Sequence, residues 1–260
     1  MTANAPRISH PRTTSERFGA VPVEAGGTPE SEWAGNTSFA HLDVHTCPEL
    51  LVAAPHPDDE VLGVGALASE LAARGTPVSI LSVTDGEASH PDSPTVTPDA
   101  LAAMRRTESE RAAQRLGLPA PDRLGLPDGS VSDHEKELAE MITERLRPGA
   151  WCAAPYRHDG HPDHESVGRA AAYAARQAGA VLIEYPIWLW HWSYPLDPSV
   201  PWHRARTFHP TGRRQRLKRD AVAEFTSQTA DLSPDPADRA ILPPRILDRL
   251  LRDHETVFVP

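Results

Sequence analysis

Four short apolar runs punctuate the chain, at 51–54, 78–83, 151–155 and 181–185. None shows polar alternation, as expected of strands covered on both faces. The segments between them have the mixed patterning of amphipathic helices. One helix is predicted over 61–74, Ala- and Leu-rich and stopped by Gly75. A second opens with Thr97 as its cap and Pro98 at its first position and runs to near Gly117. Two more are predicted over 132–146 and 164–178. Strands alternating with helices imply an α/β fold: a mainly parallel sheet with right-handed crossovers and helices on both faces. Ligands bind such sheets at the carboxyl ends of strands, so chemistry is expected just after each apolar run. Residues 1–45 are polar and rich in Pro, Ser, Thr and Gly, and read as an N-terminal arm or irregular cap. Residues 46–260 read as a single domain. No internal repeat is visible.

Composition narrows the function classes. The 260 residues carry 26 Lys and Arg against 36 Asp and Glu, a formal charge of −10. That balance argues against a protein that coats nucleic acid or lies on a membrane surface, both of which need a basic face. Two cysteines, Cys47 and Cys152, exclude a disulfide scaffold and a four-cysteine zinc site. No run approaches the ~18 apolar residues of a membrane span. The first residues contain no apolar core of a secretory signal, so a cytoplasmic, reducing location is expected. Thirteen histidines are many for this length.

The histidines concentrate where the pattern places ligands. Directly after the first apolar run stands Pro55-His56-Pro57-Asp58-Asp59-Glu60. Three adjacent carboxylates repel unless a cation or hydrogen bonds offset them. His56 and Asp59 are three apart, so one tight turn can aim both at a single ion. After the run at 151–155 comes His158-Asp159-Gly160-His161-Pro162-Asp163-His164. One imidazole from this cluster completes a two-histidine, one-carboxylate set, the pattern of a catalytic metal with open positions. Zinc there would bring a bound water toward hydroxide at neutral pH. The plainer alternative is that His56 and Asp59 only cap a helix.

The segment Ala54–Glu60 resembles the A-H-P-D-D-E signature of the PIG-L/LmbE-like N-acetylglucosamine deacetylases, with Pro55 inserted after the alanine. His161-Pro162-Asp163-His164 is similar to that family's H-P-D-H. Weaker likenesses follow in order: Thr84-Asp85-Gly86-Glu87, the helix RRTESERAAQRLG at 105–117, Leu126-Pro127-Asp128-Gly129, and Lys218 with Ser227-Gln228. The resemblance spans roughly 48–230 and implies a Rossmann-like, metal-dependent deacetylase domain over 46–260. It implies one Zn²⁺ per chain, or another divalent ion such as Fe²⁺, held by His56, Asp59 and His164. By the same resemblance Asp58 is the general base and His161 stabilises the oxyanion, oriented by Asp163. Arg105 and Asp128 match positions that hold sugar hydroxyls. Where some relatives have a tyrosine two positions before the first histidine of H-P-D-H, this chain has Asp159. The implied reaction removes the N-acetyl group from an N-acetylglucosamine-type conjugate. The expected partner is a small-molecule or glycoconjugate substrate, with no nucleic acid and with homo-oligomerisation open.

Rival readings are an amidase on a thiol-sugar conjugate, a two-histidine, one-carboxylate iron oxygenase, and a non-catalytic sugar-binding module. Gly63-x-Gly65-x-x-Ala68 mimics a dinucleotide fingerprint but lies too far from its strand. Trp188, Trp190, Trp192 and Trp202 suit either a platform for a sugar ring or a packed lid. The basic run at 213–219 reads as a solvated helix face or an anion-contacting rim. Cys152 reads as inert core, and Cys47 has no partner motif for a nucleophile. His158 and His191 are candidates for the rim of the site.

Overall fold

The computed structural model describes residues 13–36 and 38–260. The beginning of the expected arm, residues 1–12, lies outside the described residues. Among the described residues eight strands form one sheet: β1 Ala40–His41, β2 Leu50–Ala54, β3 Val78–Ser82, β4 Asp122–Arg123, β5 Trp151–Pro155, β6 Val181–Tyr185, β7 Ala205–Phe208 and β8 Glu255–Phe258. Their order is β1-β7-β8-β6-β5-β2-β3-β4. Every pairing is parallel except those of β8, which runs antiparallel between β6 and β7.

The helices are α1 Thr14–Gly19, α2 Glu30–Trp33, α3 Asp59–Ala73, α4 Pro98–Leu116, α5 Glu135–Arg145, α6 Pro162–Ala178, α7 Leu189–Trp192, α8 Gly212–Val222, α9 Thr226–Thr229 and α10 Pro244–Leu250. Side chains alternate across the sheet, so each central strand feeds two cores. Leu50, Val52, Trp151 and Ala153 pack toward α3, α4 and α8. Leu51, Ala53, Cys152 and Ala154 pack toward α5 and α6. This double burial is why the runs at 51–54 and 151–155 lack alternation.

The local signals act as the sequence suggests. Thr97 Oγ1 accepts the N–H of Ala100, and Gly117 closes α4 in the left-handed region at φ 72°. The helix expected over 132–146 is divided: a tight 3₁₀ turn covers Val131–His134 before α5 begins. The helix expected from 164 starts at Pro162, with His161 as its cap. The short strands β1 and β4 and the late strands β7 and β8 are not in the sequence pattern. Strand β8 opens with Glu255, a buried carboxylate, which hides its strand character.

Helix α3 is kinked. Val64 leaves helical geometry at φ −137°, ψ 22°, which opens the hydrogen-bond ladder there. The freed N–H groups of Ala66 and Leu67 donate to the two carboxylate oxygens of Glu255, each at 2.8 Å. Lys218 Nζ donates to Leu62 O and to Glu255 Oε1, both at 2.7 Å. The basic run at 213–219 therefore places one buried lysine, Lys218, against a helix break. Gly63 lies on the same stretch, where a Cβ would stand 2.3 Å from the ring of Tyr185. Gly63 of the apparent dinucleotide fingerprint thus serves close helix-to-strand packing, whereas a Cβ at Gly65 would meet only Leu116 and Val61, at 3.4 Å.

Candidate active site

Strands β2 and β5 are neighbours, and their outgoing connections diverge to opposite sides of the sheet. The crevice at their carboxyl ends is the position where such folds bind ligands. Both histidine-rich clusters open into it. From the β2 side, His56 Nδ1 lies 3.2 Å from Asp59 Oδ2, which also accepts the backbone N–H of His56 at 3.1 Å. From the β5 side, His164 Nε2 lies 3.3 Å from the same Asp59 oxygen. His56, Asp59 and His164 each offer a ligand atom within 4.8 Å of the others. Two chain segments about a hundred residues apart thus converge on one point.

His164 carries the clearest mark of a metal ligand. Its Nδ1 is 2.8 Å from Asp159 Oδ2, and its buried Nε2 has no hydrogen-bond partner among the described residues. Asp159 is itself fully buried and accepts the N–H groups of Ile187, Trp188 and Leu189 at 2.9–3.0 Å. A carboxylate fixed in this way holds the proton on Nδ1 and leaves the Nε2 lone pair for a cation. The residue that departs from the family pattern is thus an orienting group. Sequence reasoning did not find it, because its partner lies five residues on across a turn and a helix start.

Asp58 sits at φ 135°, a region that non-glycine residues rarely occupy. Its carboxylate meets Arg105, whose Nη2 donates to Asp58 Oδ2 at 3.0 Å. Arg105 also donates to Pro57 O at 2.8 Å and Gly86 O at 2.9 Å. Gly86, at φ 69°, is required here, since a Cβ would lie 2.1 Å from the guanidinium. Arg105, expected to hold sugar hydroxyls, lines the cavity but is 3% exposed; its Nη groups bind Asp58 and the backbone, and its buried Nε has no hydrogen-bond partner among the described residues.

Asp163 and His161 are not paired as expected. The Asp163 carboxylate accepts from Gly129 N at 2.8 Å and Val131 N at 3.2 Å, and faces His56 Nε2 at 3.3 Å. His161 instead caps α6, its Nδ1 accepting the N–H of Asp163 at 3.3 Å. That leaves the ring proton on Nε2. Asp128 Oδ1 also faces His56 Nε2, at 3.0 Å, and Asp128 Oδ2 accepts the N–H of Ala88.

The electrostatics separate these groups. Burial pushes the Asp58 carboxyl up to about 8; Arg105 opposes this, while Asp59 and Glu60 add to it. Burial likewise disfavours the charge on Asp59, yet the imidazoles of His164 and His56 outweigh it and hold its carboxyl well below the usual range. Burial drives His161 down to about 3, helped by the two neighbouring imidazoles, so its ring stays neutral. Burial opposes protonation of His164 as well, but Asp59 and Asp159 raise it to about 9. A buried pair of imidazoles drawn toward carboxylates is the charge pattern that a divalent cation at the same point satisfies.

A cavity of about 350 Å³ opens over the cluster. His56, Asp58, Asp59, Arg105, Asp128, His161 and His164 line it, so every expected site residue except Asp163 faces it. Gln228 and Ser89 join them, linked at 3.3 Å, and neither was singled out from the sequence as a site residue. Of the tryptophans only Trp188 lines the cavity; Trp190 and Trp202 pack with Trp33. His158 packs on Tyr156, and His191 bonds to Val21 O. Neither lines the cavity. Cys152 and Cys47 are buried, with thiols pushed up to about 12 by burial.

A mainly parallel α/β sheet with a two-histidine, one-carboxylate cluster at its switch point defines a Rossmann-like protein with a candidate divalent-metal centre. Comparison with known proteins specifies it further. Residues 51–175 match the family described as PIG-L, GlcNAc-PI de-N-acetylase. Over this span, just under half of its length, the chain is similar to the PIG-L family. It is 32% identical over 139 residues to a diacetylchitobiose deacetylase of Thermococcus kodakarensis, covering 50% of each chain. It is 28% identical over 228 residues to a 1D-myo-inositol 2-acetamido-2-deoxy-alpha-D-glucopyranoside deacetylase of Thermobifida fusca, covering 73% of each. A conserved protein of Thermus thermophilus superposes with a TM-score of 0.53 at 30% identity, over 70% of this chain and 80% of that one. The chain spans about half the length of the first curated relatives it matches. No helix among the described residues is long and apolar enough to cross a membrane.

Proposed function

We propose that this protein is a zinc-dependent N-deacetylase that hydrolyses the acetamide of an N-acetylglucosamine-type sugar conjugate. The observation that carries this reading is the buried Nε2 of His164, which has no hydrogen bond among the described residues and faces Asp59 at 3.3 Å beside His56, its ring held by Asp159. These three residues would hold the metal, which when bound would acidify a water and polarise the acetamide carbonyl.

The remaining roles follow from the chain's own groups. Asp58, buried and turned toward the cavity, takes the proton of the attacking water and returns it to the leaving nitrogen. Arg105 fixes the carboxylate in place and supports its charged form. His161, neutral with its proton on Nε2, donates to the carbonyl oxygen as that oxygen gains negative charge. Asp163 and Asp128 hold His56 through its Nε2, which aims Nδ1 at the metal position. Asp128, Ser89 and Gln228 supply the polar wall for sugar hydroxyls. The products are acetate and a free amine. The same ligand set serves iron oxygenases, but relatives named as deacetylases favour hydrolysis.

The test is amine release from N-acetylglucosaminyl glycosides, followed with fluorescamine, using metal-stripped enzyme and enzyme reloaded with zinc. Release that depends on zinc is expected. A metal-loaded protein that frees no amine from any glycoside would overturn the reading.

A further inference from the structure

The cavity has two unlike halves. The polar half is built by the residues of the metal cluster with Arg105, Asp128 and Ser89, within the span that matches the family, and by Gln228 beyond it. The apolar half comes mainly from outside that span, from Phe18, Val23, Ile187, Trp188, Ile241 and Leu242, with Leu62 and Ala88 added from within it. Three separate segments supply the outside residues. Phe18 comes from α1, which is drawn over the crevice by specific anchors. Arg17 pairs with Asp197 and lies 4.2 Å over the ring of Trp192, and Thr14 bonds to Glu165. The Phe18 ring sits 5.2 Å from Trp188 and 6.3 Å from His161, between the apolar wall and the proposed reacting centre. Trp188 and Ile187 are fixed from below, because their N–H groups bind the carboxylate of Asp159. Ile241 and Leu242 come from the third segment. The N–H of Leu242 donates to Gln228 O at 2.8 Å, which joins the apolar wall to the polar one.

Charge constrains what the apolar half can hold. Among the described lining residues Arg105 is the one permanent cation; it is 3% exposed, its Nη groups bind Asp58, Pro57 and Gly86, and its Nε, without a hydrogen-bond partner among the described residues, is buried. Asp58, Asp59 and Asp128 line the same space. None of Phe18, Val23, Ile187, Trp188, Ile241 and Leu242 carries a charge or a hydrogen-bonding side chain apart from the Trp188 indole, so against that wall an anionic group would meet no cation and a polyol would leave hydroxyls unpaired.

We infer that Phe18, Trp188 and Ile241 form a subsite for an uncharged, apolar aglycone carried by the amino sugar, with Phe18 as a specificity-determining residue. This rests on the deacetylase reading for the sugar but not for the subsite itself, which binds by apolar burial. A short alkyl chain removed from water against these side chains gains affinity with each buried methylene.

The test compares methyl, hexyl and carboxymethyl N-acetylglucosaminides, with binding to the zinc-loaded protein measured by calorimetry and amine release measured in parallel. The hexyl glycoside is expected to bind about tenfold or more tightly than the methyl glycoside. The carboxymethyl glycoside is expected to bind no better than the methyl one. Phe18→Ala should cut the hexyl-to-methyl ratio several-fold, and Phe18→Leu should restore most of it. Ile241→Ala should lower the same ratio without touching α1. Equal binding of hexyl and methyl glycosides, or a ratio indifferent to both alanine variants, overturns the subsite. Selective hexyl binding without amine release would uphold the subsite and overturn the hydrolase reading.

Discussion

His164 Nδ1 lies 2.8 Å from Asp159 Oδ2, and this one contact leaves Nε2 bare and aimed at Asp59. Asp159→Asn keeps the shape but weakens the hold on the imidazole tautomer. Metal affinity should fall about 10–100-fold, the usual effect of losing such a partner. Competition against a metal-buffering chelator measures it. An unchanged affinity would show that Asp159 only caps the loop at Ile187–Leu189.

Asp58 and His164 should separate chemistry from metal binding. Asp58→Asn should retain one metal per chain while lowering turnover about 10²–10⁴-fold. His164→Ala should lose both metal and turnover. Elemental analysis beside the fluorescamine assay distinguishes them, and full activity in Asp58→Asn would remove it as the base.

Gly86 controls Asp58 at one remove. Gly86→Ala sets a Cβ 2.1 Å from the Arg105 guanidinium and strains a backbone at φ 69°. Arg105 must then withdraw from Asp58. Burial already pushes that carboxyl up to about 8, and without its cation it should rise further. The acid limb of the activity profile should therefore move to higher pH in the variant. A profile that falls in height without moving would locate the damage elsewhere.

The kink in α3 makes Glu255 and Lys218 interdependent. Glu255→Ala leaves the N–H groups of Ala66 and Leu67 unpaired and Lys218 buried without a counter-charge. Breaking one side of a buried pair typically costs roughly 3–5 kcal/mol. Urea unfolding of the variant should show a loss of that order. A loss under about 1 kcal/mol would mean water replaces the carboxylate.

Asp197 ties α1 to the rest of the protein. Burial opposes its charge, but hydrogen bonds from Arg17, Ser199 and Ser193 prevail and hold its carboxyl below the ordinary range. A carboxyl lowered on folding stabilises the protein above its unfolded value of ~3.9, and the gain is lost as pH falls through the folded value. Asp197→Asn should therefore be less stable at neutral pH. Its stability should also fall less steeply on acidification below about pH 4. Thermal melts across roughly pH 2–7 test this, and parallel curves would exclude the linkage.

Much of the sheet was legible because its strands are buried on both faces. Unbroken apolar runs mark β5 and β6 to the residue, and β2 and β3 to within one. Strands β7 and β8 were not, because Arg206 is half-exposed and Glu255 is a buried charge whose reason for being there, Lys218, stands 37 residues away. The segment 13–36 reads as a polar arm, yet it buries Trp33 completely and brings Phe18 over the cavity. Its few apolar residues are too widely spaced to form a period.

The chain by itself determined the candidate ligand types and their location, since His56-Pro57-Asp58-Asp59 and His161-Pro162-Asp163-His164 each follow a strand and open a helix. Local spacing sets such turns, so they survive as sequence. Only the tertiary structure decided which carboxylate serves which group. Asp163 and Asp128 turn to His56, Asp159 takes His164, and Arg105 takes Asp58. Those partnerships depend on the angles at which separate strands deliver their loops, and on burial that makes each unpaired charge costly. The apolar wall was decided the same way, by three distant segments meeting over one crevice.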